Sequence, residues 1–264
     1  MQAFPDMEPL PCHSFEGAVA AVVEGRADLA MLPVDNSTYG RVADIHHLLP
    51  DSGLHIIGEH FLRVHINLLG VPGAKLEDVS TAMSHTVLLG QCRDFLRANG
   101  IAPRTAADTA GSAEFVAREG DPTLAGLASD LAGEIYGLDV LARDIEDQAN
   151  NTTRFLVMAS EPKPAPPGDV LTSFVFRVRN IPAALYKAMG GFATNGVNML
   201  KLESYMLDGQ FTATQFYADI EGHPDDPPVA RALDELSYFT SKLQILGVYP
   251  VHPYRSEQRA ANGD

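Results

Sequence analysis

The sequence predicts an α/β region followed by a smaller α+β region of the ferredoxin-like type. Up to residue 159, apolar strand-like runs alternate with helical patterns, which is typical of a mainly parallel α/β sheet. Four prolines in SEPKPAPPGD, residues 160–169, then indicate a stiff linker. Beyond the linker the predicted order of elements is βαββαβ, the ferredoxin-like order. A chain of 264 residues is long enough for two domains.

The first region begins with a helix in HSFEGAVAAVVEG, capped at Ser14 and ended by Gly25. A buried strand, ADLAMLPV, follows. The next predicted strand is STAMS, and it leads into one helix, TVLLGQCRDFLRANG, that ends at Gly100. The alternation then continues through AGLAS, SDLAGEIYG, LDVLA and TRFLVMA.

The second region begins with an alternating strand, TSFVFRVRN, and a helix that Pro182 opens, IPAALYKAMGGFATNG. The next two strands, VNMLKLESYML and QFTATQFYADIEG, face each other across a hairpin at Asp208–Gly209. A second helix, DPPVARALDELSYFTS, and a last strand, KLQILGVYPV, complete the unit. We expect the polar tail RSEQRAANGD to be disordered.

Composition narrows the classes of function. A formal net charge of −15 argues against nucleic acid and anionic membranes as partners, because both require a basic surface. No apolar run could cross a bilayer, and the first residues do not form a secretory signal, so we expect a cytoplasmic protein. The spacing of His and Cys matches no metal site, and no glycine-rich nucleotide loop is present.

Polar clusters follow several of the predicted strands, where ligands bind in α/β folds. They comprise Asp35–Ser37, Ser84–His85, Thr109–Gly111 and the run NNTTRF at residues 150–155. Each cluster alone could simply cap a helix or shape a turn. Four such clusters at successive strand ends are harder to explain by capping alone, and the net charge does not exclude a small anionic substrate in a locally positive pocket.

The stretch YGLDVLARDIEDQANNTTRFLVM, residues 136–158, resembles the signature of prephenate dehydratases. The segments LPVDNSTYGRV, SHTVLLGQC and DTAGSA resemble other blocks of that family, and the βαββαβ unit is similar to its regulatory ACT domain. The resemblance implies a two-lobed, periplasmic-binding-protein-like catalytic domain over residues 1–160 with its active site in the cleft between the lobes. It further implies a linker at 161–169 and an ACT domain at 170–254, which the polar tail at 255–264 follows. A homodimer or homotetramer is also implied.

The resemblance also implies the chemistry: prephenate loses CO2 and its ring hydroxyl to give phenylpyruvate, without a metal or an organic cofactor. By position Thr153 is the catalytic threonine, and its hydroxyl would donate a hydrogen bond to the departing oxygen. Arg154 could meet a carboxylate or brace the cleft wall, and His85 could act as an acid or as a capping residue. The implied substrate-binding residues are Asn36, Ser37, Ser84, His85, Thr109, Asn151, Thr152, Arg154 and Phe155. L-Phenylalanine would bind the ACT unit at Ala183, Ala184, Leu185, Glu203 and Ser204.

The sequence departs from the family pattern in two places. The family commonly has Glu-Ser-Arg-Pro where this chain has Glu203-Ser204-Tyr205-Met206, which bears on the affinity for phenylalanine. Residues 1–11 hold three prolines in place of the family's opening strand and glycine-rich loop, so we expect that strand to be missing and the natural start to lie upstream. Two alternatives stay open: a dehydratase that acts on arogenate, and a weakly active binding protein that senses amino acids.

Overall fold

The computed structural model describes residues 3–42, 45–148, 150–165, 167–179, 181–207 and 213–262. The chain divides into two compact units. Unit 1 comprises Met1–Asn36, Gly40–Phe61 and Arg154–Asp264, and unit 2 comprises Ser37–Tyr39 and Leu62–Thr153. The chain therefore enters unit 2 twice, at residues 37–39 and 62–153, and returns to unit 1 for the last time between Thr153 and Arg154.

The first elements of unit 1 confirm the predicted helix and strand. They are α1 (Phe15–Val23), β1 (Ala30–Asn36), β2 (Gly40–Arg41), α2 (Ile45–Leu48) and β3 (His55–Arg63), whose last two residues belong to unit 2. Ser14 caps α1, because its hydroxyl accepts a hydrogen bond from the amide of Gly17. Gly25 has a φ of +72°, which lets the chain turn from α1 towards β1. In the described residues that precede α1, 3–14, there is no strand.

Unit 2 is built around a five-stranded sheet of order β6-β5-β7-β4-β8. Strand β5 pairs in parallel with β6 and β7, whereas β4 pairs antiparallel with β7 and β8. Four of the five strands therefore run in one direction, as predicted for a mainly parallel sheet. The exception is β4, a strand outside the predicted elements, which lies between β7 and β8 in the opposite direction. The elements are β4 (Asn67–Gly70), β5 (Thr81–His85), α3 (Thr86–Gln91), α4 (Arg93–Ala98), β6 (Ala102–Ala106), α5 (Thr109–Glu119), β7 (Leu124–Ala128), α6 (Asp130–Tyr136) and β8 (Asp139–Ala142).

The single helix predicted after β5 is two helices, because the chain breaks at Cys92. A distant segment satisfies the backbone groups at the break. The amide of Asp147 donates to the carbonyl oxygen of Gln91 at 2.7 Å, and the Asp147 carboxylate accepts from the amide of Asp94 at 3.1 Å. An inserted group of this kind interrupts the helical hydrogen bonds and bends the chain.

Strand β9 (Thr152–Ala159) completes a four-stranded sheet of order β2-β1-β9-β3. Its first two residues belong to unit 2 and the others to unit 1. Beyond Arg154 the strand becomes apolar, and Leu156 and Met158 are fully buried in the core of unit 1. The start of β9 is therefore polar while its end is fixed in a hydrophobic core.

The rest of the chain confirms the predicted βαββαβ order and the ferredoxin-like sheet, whose order is β11-β12-β10-β13. Strand β12 pairs antiparallel with β10 and β11, as predicted. The predicted turn at Asp208–Gly209 lies outside the described residues. The elements are β10 (Val170–Val178), α7 (Ala184–Thr194), β11 (Met199–Met206), β12 (Ala213–Glu221), α8 (Pro227–Phe239) and β13 (Thr240–Pro250).

The two faces of this sheet pack on different partners within unit 1. One face, with Phe174 and Phe176, packs on α7 and α8. The other face, with Val175 and Tyr249, shares a core with α1, β1 and β9. The ferredoxin-like part and the first elements of the chain therefore belong to one compact unit.

The predicted disordered tail is wrong for the described residues, because Pro253–Asn262 form a helix, α9. Two kinds of contact hold it. Arg255 binds both carboxylate oxygens of the fully buried Glu59, and the ring of Tyr254 stacks on Phe61 with 4.6 Å between centroids. A polar composition suggested disorder, but these partners lie almost 200 residues earlier in the chain.

Candidate active site

One member of the first predicted polar cluster, Ser37, contacts the cluster at the start of β9 within unit 2. The Ser37 hydroxyl donates to the carbonyl oxygen of Asn150 at 2.6 Å and accepts from the amide of Thr152 at 2.9 Å. The amide of Ser37 also donates to the carbonyl oxygen of Thr152 at 2.9 Å. Asn151 and Thr152 are buried. These bonds fix the backbone immediately before Thr153.

The other two clusters lie together at the edge of the unit 2 sheet where β5 and β6 end. The parallel register pairs His85 with Ala106, and Thr109 begins α5 three residues later. Both clusters also serve local structure. The ring of His85 accepts from the amide of Val87 as a cap of α3, and Asp108 caps α5 by accepting from the amide of Gly111 at 2.6 Å.

Ser84 is fully buried, and its hydroxyl donates to the carbonyl oxygen of Leu127 at 2.9 Å. A hydroxyl has one proton to donate. This proton is therefore committed to the backbone of β7, and the contact favours a role in holding the sheet edge over a contact with substrate.

A cavity of about 260 Å³ opens in unit 2 beside the Ser37 loop. Gln91 lines the cavity at the break between α3 and α4. Its side chain is buried, and the side-chain amide oxygen Oε1 has no hydrogen-bond partner among the described residues. Tyr39 closes another side, where its hydroxyl donates to the carbonyl oxygen of Val87 at 3.0 Å. The lining residues are Thr38, Tyr39, Gly90, Gln91, Glu146, Asp147, Gln148 and Asn151.

Sequence reasoning missed Gln91, Glu146 and Asp147 as cavity residues. The sequence predicts Gln91 inside one continuous helix, whereas the break at Cys92 places it in the cavity wall. Glu146 is held by Arg63 at 2.7 Å and by the amide of Ile66 at 3.1 Å.

Along β9, successive side chains point to opposite faces of the strand, so Thr153 and Phe155 lie on the face opposite to Thr152 and Arg154. Thr153 and Phe155 are half-buried, whereas Thr152 and Arg154 are buried. Thr153 is the last residue of unit 2, and Arg154 and Phe155 belong to unit 1, as does Asn36 at the end of β1.

Arg154 is 5% exposed and its guanidinium is surrounded by partners from unit 1. It donates to Glu59 of β3 and to Asp219 of β12 at 2.7 Å each, and to the hydroxyl of Tyr249 of β13 at 2.9 Å. Burial alone would lower the pKa of Arg154, but the negative charge of Asp219, together with Tyr249, Tyr217 and Glu59, raises it well above its usual value. Of the two roles predicted for Arg154, these contacts favour bracing over binding a substrate carboxylate.

The sequence profile of prephenate dehydratases matches residues 1–163, which include all the predicted substrate-site residues. The chain belongs to the prephenate dehydratase family. The bifunctional N-acyl-homoserine lactone acylase/prephenate dehydratase of Komagataeibacter europaeus is 52% identical to it over 256 residues, 96% of this chain and 91% of that protein.

Two further relatives extend the comparison. Arogenate dehydratase/prephenate dehydratase 1 of Arabidopsis thaliana is 39% identical over 95% of this chain and 68% of that protein. The crystal structure of prephenate dehydratase from Arthrobacter aurescens in complex with L-Phe is 29% identical. It superposes with a TM-score of 0.82, covering 98% of this chain and 89% of that chain.

In this member of the prephenate dehydratase family, the predicted effector residues lie in two elements of the ferredoxin-like part. Ala183 has a φ of +61° at the start of α7, a conformation that favours glycine, and Ala184 and Leu185 follow it in the helix. Arg41 of β2 contacts the two predicted residues of β11. It donates to the carbonyl oxygen of Ser204 at 2.7 Å and lies 3.7 Å from the Glu203 carboxylate.

A second ion pair runs beside this one. Lys201 of β11 lies 3.5 Å from Glu203 and binds Asp35 of β1, the residue before Asn36. The predicted effector strand therefore contacts the end of the strand that carries Asn36.

One group of metal-ligand side chains in unit 2 lies close enough to share an ion. The ligand atoms of His65, Asp144 and Glu146 are within 4.8 Å of one another, but Arg63 already neutralises Glu146. Among the helices that the structure describes, none is both long and apolar enough to cross a membrane.

Proposed function

We propose that this chain catalyses the decarboxylative dehydration of prephenate to phenylpyruvate. The observation that carries the proposal is the family match over residues 1–163, which includes Thr153 in its Thr-Arg-Phe signature. In this reaction the bond between the ring and its carboxylate breaks and CO2 leaves. The released electron pair enters the ring, and the C–O bond on the opposite side breaks. The departing hydroxide takes up a proton and leaves as water.

The rate of this reaction depends on stabilising the departing oxygen and on holding two carboxylates in place. We assign the first task to Thr153, whose hydroxyl would donate to the oxygen as negative charge develops there. One preorganised donor of this kind contributes about 10²- to 10³-fold to the rate. Support comes from the bonds between Ser37 and residues 150–152, which hold the backbone beside Thr153 rigidly.

In this proposal, neutral hydrogen-bond donors and the amides at helix starts bind the two carboxylates of prephenate. Thr109 at the start of α5 lies where backbone N–H groups and the helix dipole attract anions. The amide nitrogens of Gln91 and Asn151, in the cavity wall, are further donors. Asn36, Thr152, His85 and Phe155 complete the proposed site, with Phe155 on the apolar side of the ring.

Incubating the purified chain with prephenate and following phenylpyruvate by its absorbance tests this function. We expect turnover without added cofactor. A folded, pure chain that releases no phenylpyruvate would refute the proposal.

Arogenate is the second candidate substrate, because the related Arabidopsis thaliana protein carries both dehydratase names at 39% identity. A competition assay with equal prephenate and arogenate, read as phenylpyruvate against phenylalanine, decides between the two substrates. The 52% identity with the Komagataeibacter europaeus protein favours a test of acylase activity as well. Release of the fatty acid from an N-acyl-homoserine lactone would establish it.

For the ferredoxin-like part we propose an ACT-type regulatory domain that binds L-phenylalanine between two copies in a homodimer or homotetramer. Support comes from the βαββαβ order and from the L-Phe complex of the related Arthrobacter aurescens enzyme. The proposed contacts are Ala183, Ala184, Leu185, Glu203 and Ser204. Calorimetry with L-phenylalanine, and with D-phenylalanine as a control, should give heat for the L form only. No heat and no rise in melting temperature would contradict the assignment.

A further inference from the structure

Asp219 is a buried carboxylate in β12, 65 residues along the chain from the Thr-Arg-Phe signature. One of its oxygens accepts from Arg154 at 2.7 Å, and the other accepts from the Ser173 hydroxyl. Burial alone would raise the pKa of Asp219, but the Arg154 guanidinium and hydrogen bonds from Ser173 and Tyr217 outweigh burial and lower it. Asp219 is therefore a fixed negative charge at neutral pH.

The partners of Arg154 come from four strands: Asp35 of β1 at 3.4 Å, Glu59 of β3, Asp219 of β12 and Tyr249 of β13. A planar guanidinium with acceptors on three sides can neither rotate nor translate without breaking a charged hydrogen bond. Neighbouring Cα atoms are about 3.8 Å apart and are joined by a rigid peptide plane. A shift of the Arg154 backbone therefore moves Thr153, which directly precedes it.

We propose that Asp219 is a positioning residue for the dehydratase reaction, acting through Arg154 to fix the place of the Thr153 hydroxyl. The inference rests on the proposed function, in which Thr153 donates to the departing oxygen. It gives the ferredoxin-like part a role in basal catalysis that is separate from any effector. Asp219 itself contacts no substrate in this account.

The charges around Arg154 explain why Asp219 cannot be replaced by its neighbours. Glu59 also contacts Arg154, but it is shared with Arg255, which binds both of its oxygens. Without the Asp219 charge, Arg154 would keep Glu59, which it shares with the half-buried Arg255, and Asp35, which lies 3.4 Å away and also binds Lys201. Arg154 would then move towards another acceptor or water, and the start of β9 would move with it. A displacement of about 1 Å at a reacting group costs roughly 10²-fold in rate.

The decisive variant is Asp219→Asn, which keeps the shape of the side chain and removes its charge. We expect kcat for prephenate to fall about 10- to 100-fold with KM within about threefold of the wild-type value, because the lost contact acts in the transition state. Asp219→Glu should recover part of kcat. Val229→Ala, in the core between the sheet and its helices, is the matched control: it should lower the melting temperature but leave kcat within twofold.

A double-mutant cycle separates positioning from general destabilisation. In a Thr153→Ala background, Asp219→Asn should lower kcat by less than twofold, because the group that it positions is gone. If Asp219→Asn reduces kcat equally in both backgrounds, or if folded Asp219→Asn retains kcat within twofold of wild type, the inference is overturned. Should Asp219→Asn not fold, Tyr249→Phe removes another acceptor of Arg154 and keeps the ring. It should lower kcat at least threefold, and unchanged kcat would overturn the inference.

These outcomes are distinct from failure of the proposed function. A wild-type chain that forms no phenylpyruvate refutes the dehydratase activity. A Thr153→Ala variant with the wild-type rate refutes the role of Thr153. An active wild type and an impaired Thr153→Ala, together with a fully active Asp219→Asn, refute only the role of Asp219.

Discussion

Gly247 of β13 lies directly against Ile56 of β3, a strand of the other sheet of unit 1. A Cβ atom added at Gly247 would lie 2.0 Å from the carbonyl oxygen of Ile56 and 2.7 Å from its Cβ. Gly247 is not among the glycines with positive φ, so alanine could adopt its backbone conformation. The predicted cost of Gly247→Ala is therefore purely steric.

The size of the effect follows from the distance. An ordinary contact begins at about 3.4 Å, so the two backbones would have to separate by about 1.4 Å. Separation on that scale loosens the shared core that contains Ile56, Val175 and Tyr249. We expect a loss of about 3 kcal/mol in the free energy of unfolding, the upper end of the usual range for overpacked cores. For a chain of this length it corresponds to about 6–12 °C in melting temperature.

Thermal unfolding followed by circular dichroism measures this loss, and two other glycines provide controls. Gly58→Ala lies in the same strand as Ile56, but its Cβ would meet Val157 at 3.9 Å, an ordinary contact. Gly190→Ala in α7 meets nothing within 4 Å and should stabilise the protein by about 0.5–1 kcal/mol, since alanine favours helix. A Gly247→Ala variant that melts within 1 °C of wild type would refute the close approach of β13 and β3.

Three further predictions concern single side chains. Thr153→Ala should lose most prephenate turnover at an unchanged melting temperature, while Thr153→Ser retains a measurable part; near-normal turnover by the alanine variant would remove Thr153 from the mechanism. Burial raises the pKa of Cys92 to about 12, whereas Cys12 is exposed, so a thiol reagent at pH 8 should label one cysteine in the folded chain and two after unfolding. Burial, and then Lys201, lowers the pKa of His46 below 6.5, so the unfolded state binds more protons and stability should fall as the pH drops below about 6.5. In His46→Gln this loss should be smaller, and equal slopes of melting temperature against pH would contradict the assignment.

The sequence by itself determined the features that depend on neighbouring residues. A serine before an apolar helical stripe caps α1, and alternating apolar residues form β10. The ferredoxin-like order followed from six such segments in succession. The spacing of the residues around Thr153 identified the family for the same reason, since a signature is a local pattern. Helix caps and strand alternation involve groups a few residues apart, so their geometry is readable from the chain.

The tertiary structure alone decided where charged groups find partners and where elements break. Arg154 is braced by Asp219 and by Glu59, which are 65 and 95 residues away along the chain. Asp147, which lies 53 residues beyond Asp94 along the chain, interrupts the helix at Cys92. As a result Gln91 lies in the cavity wall. Glu59 fixes the polar tail as α9 across 196 residues. A buried charge is stable only beside a specific partner, and folding of the whole unit, not local sequence, brings that partner into contact.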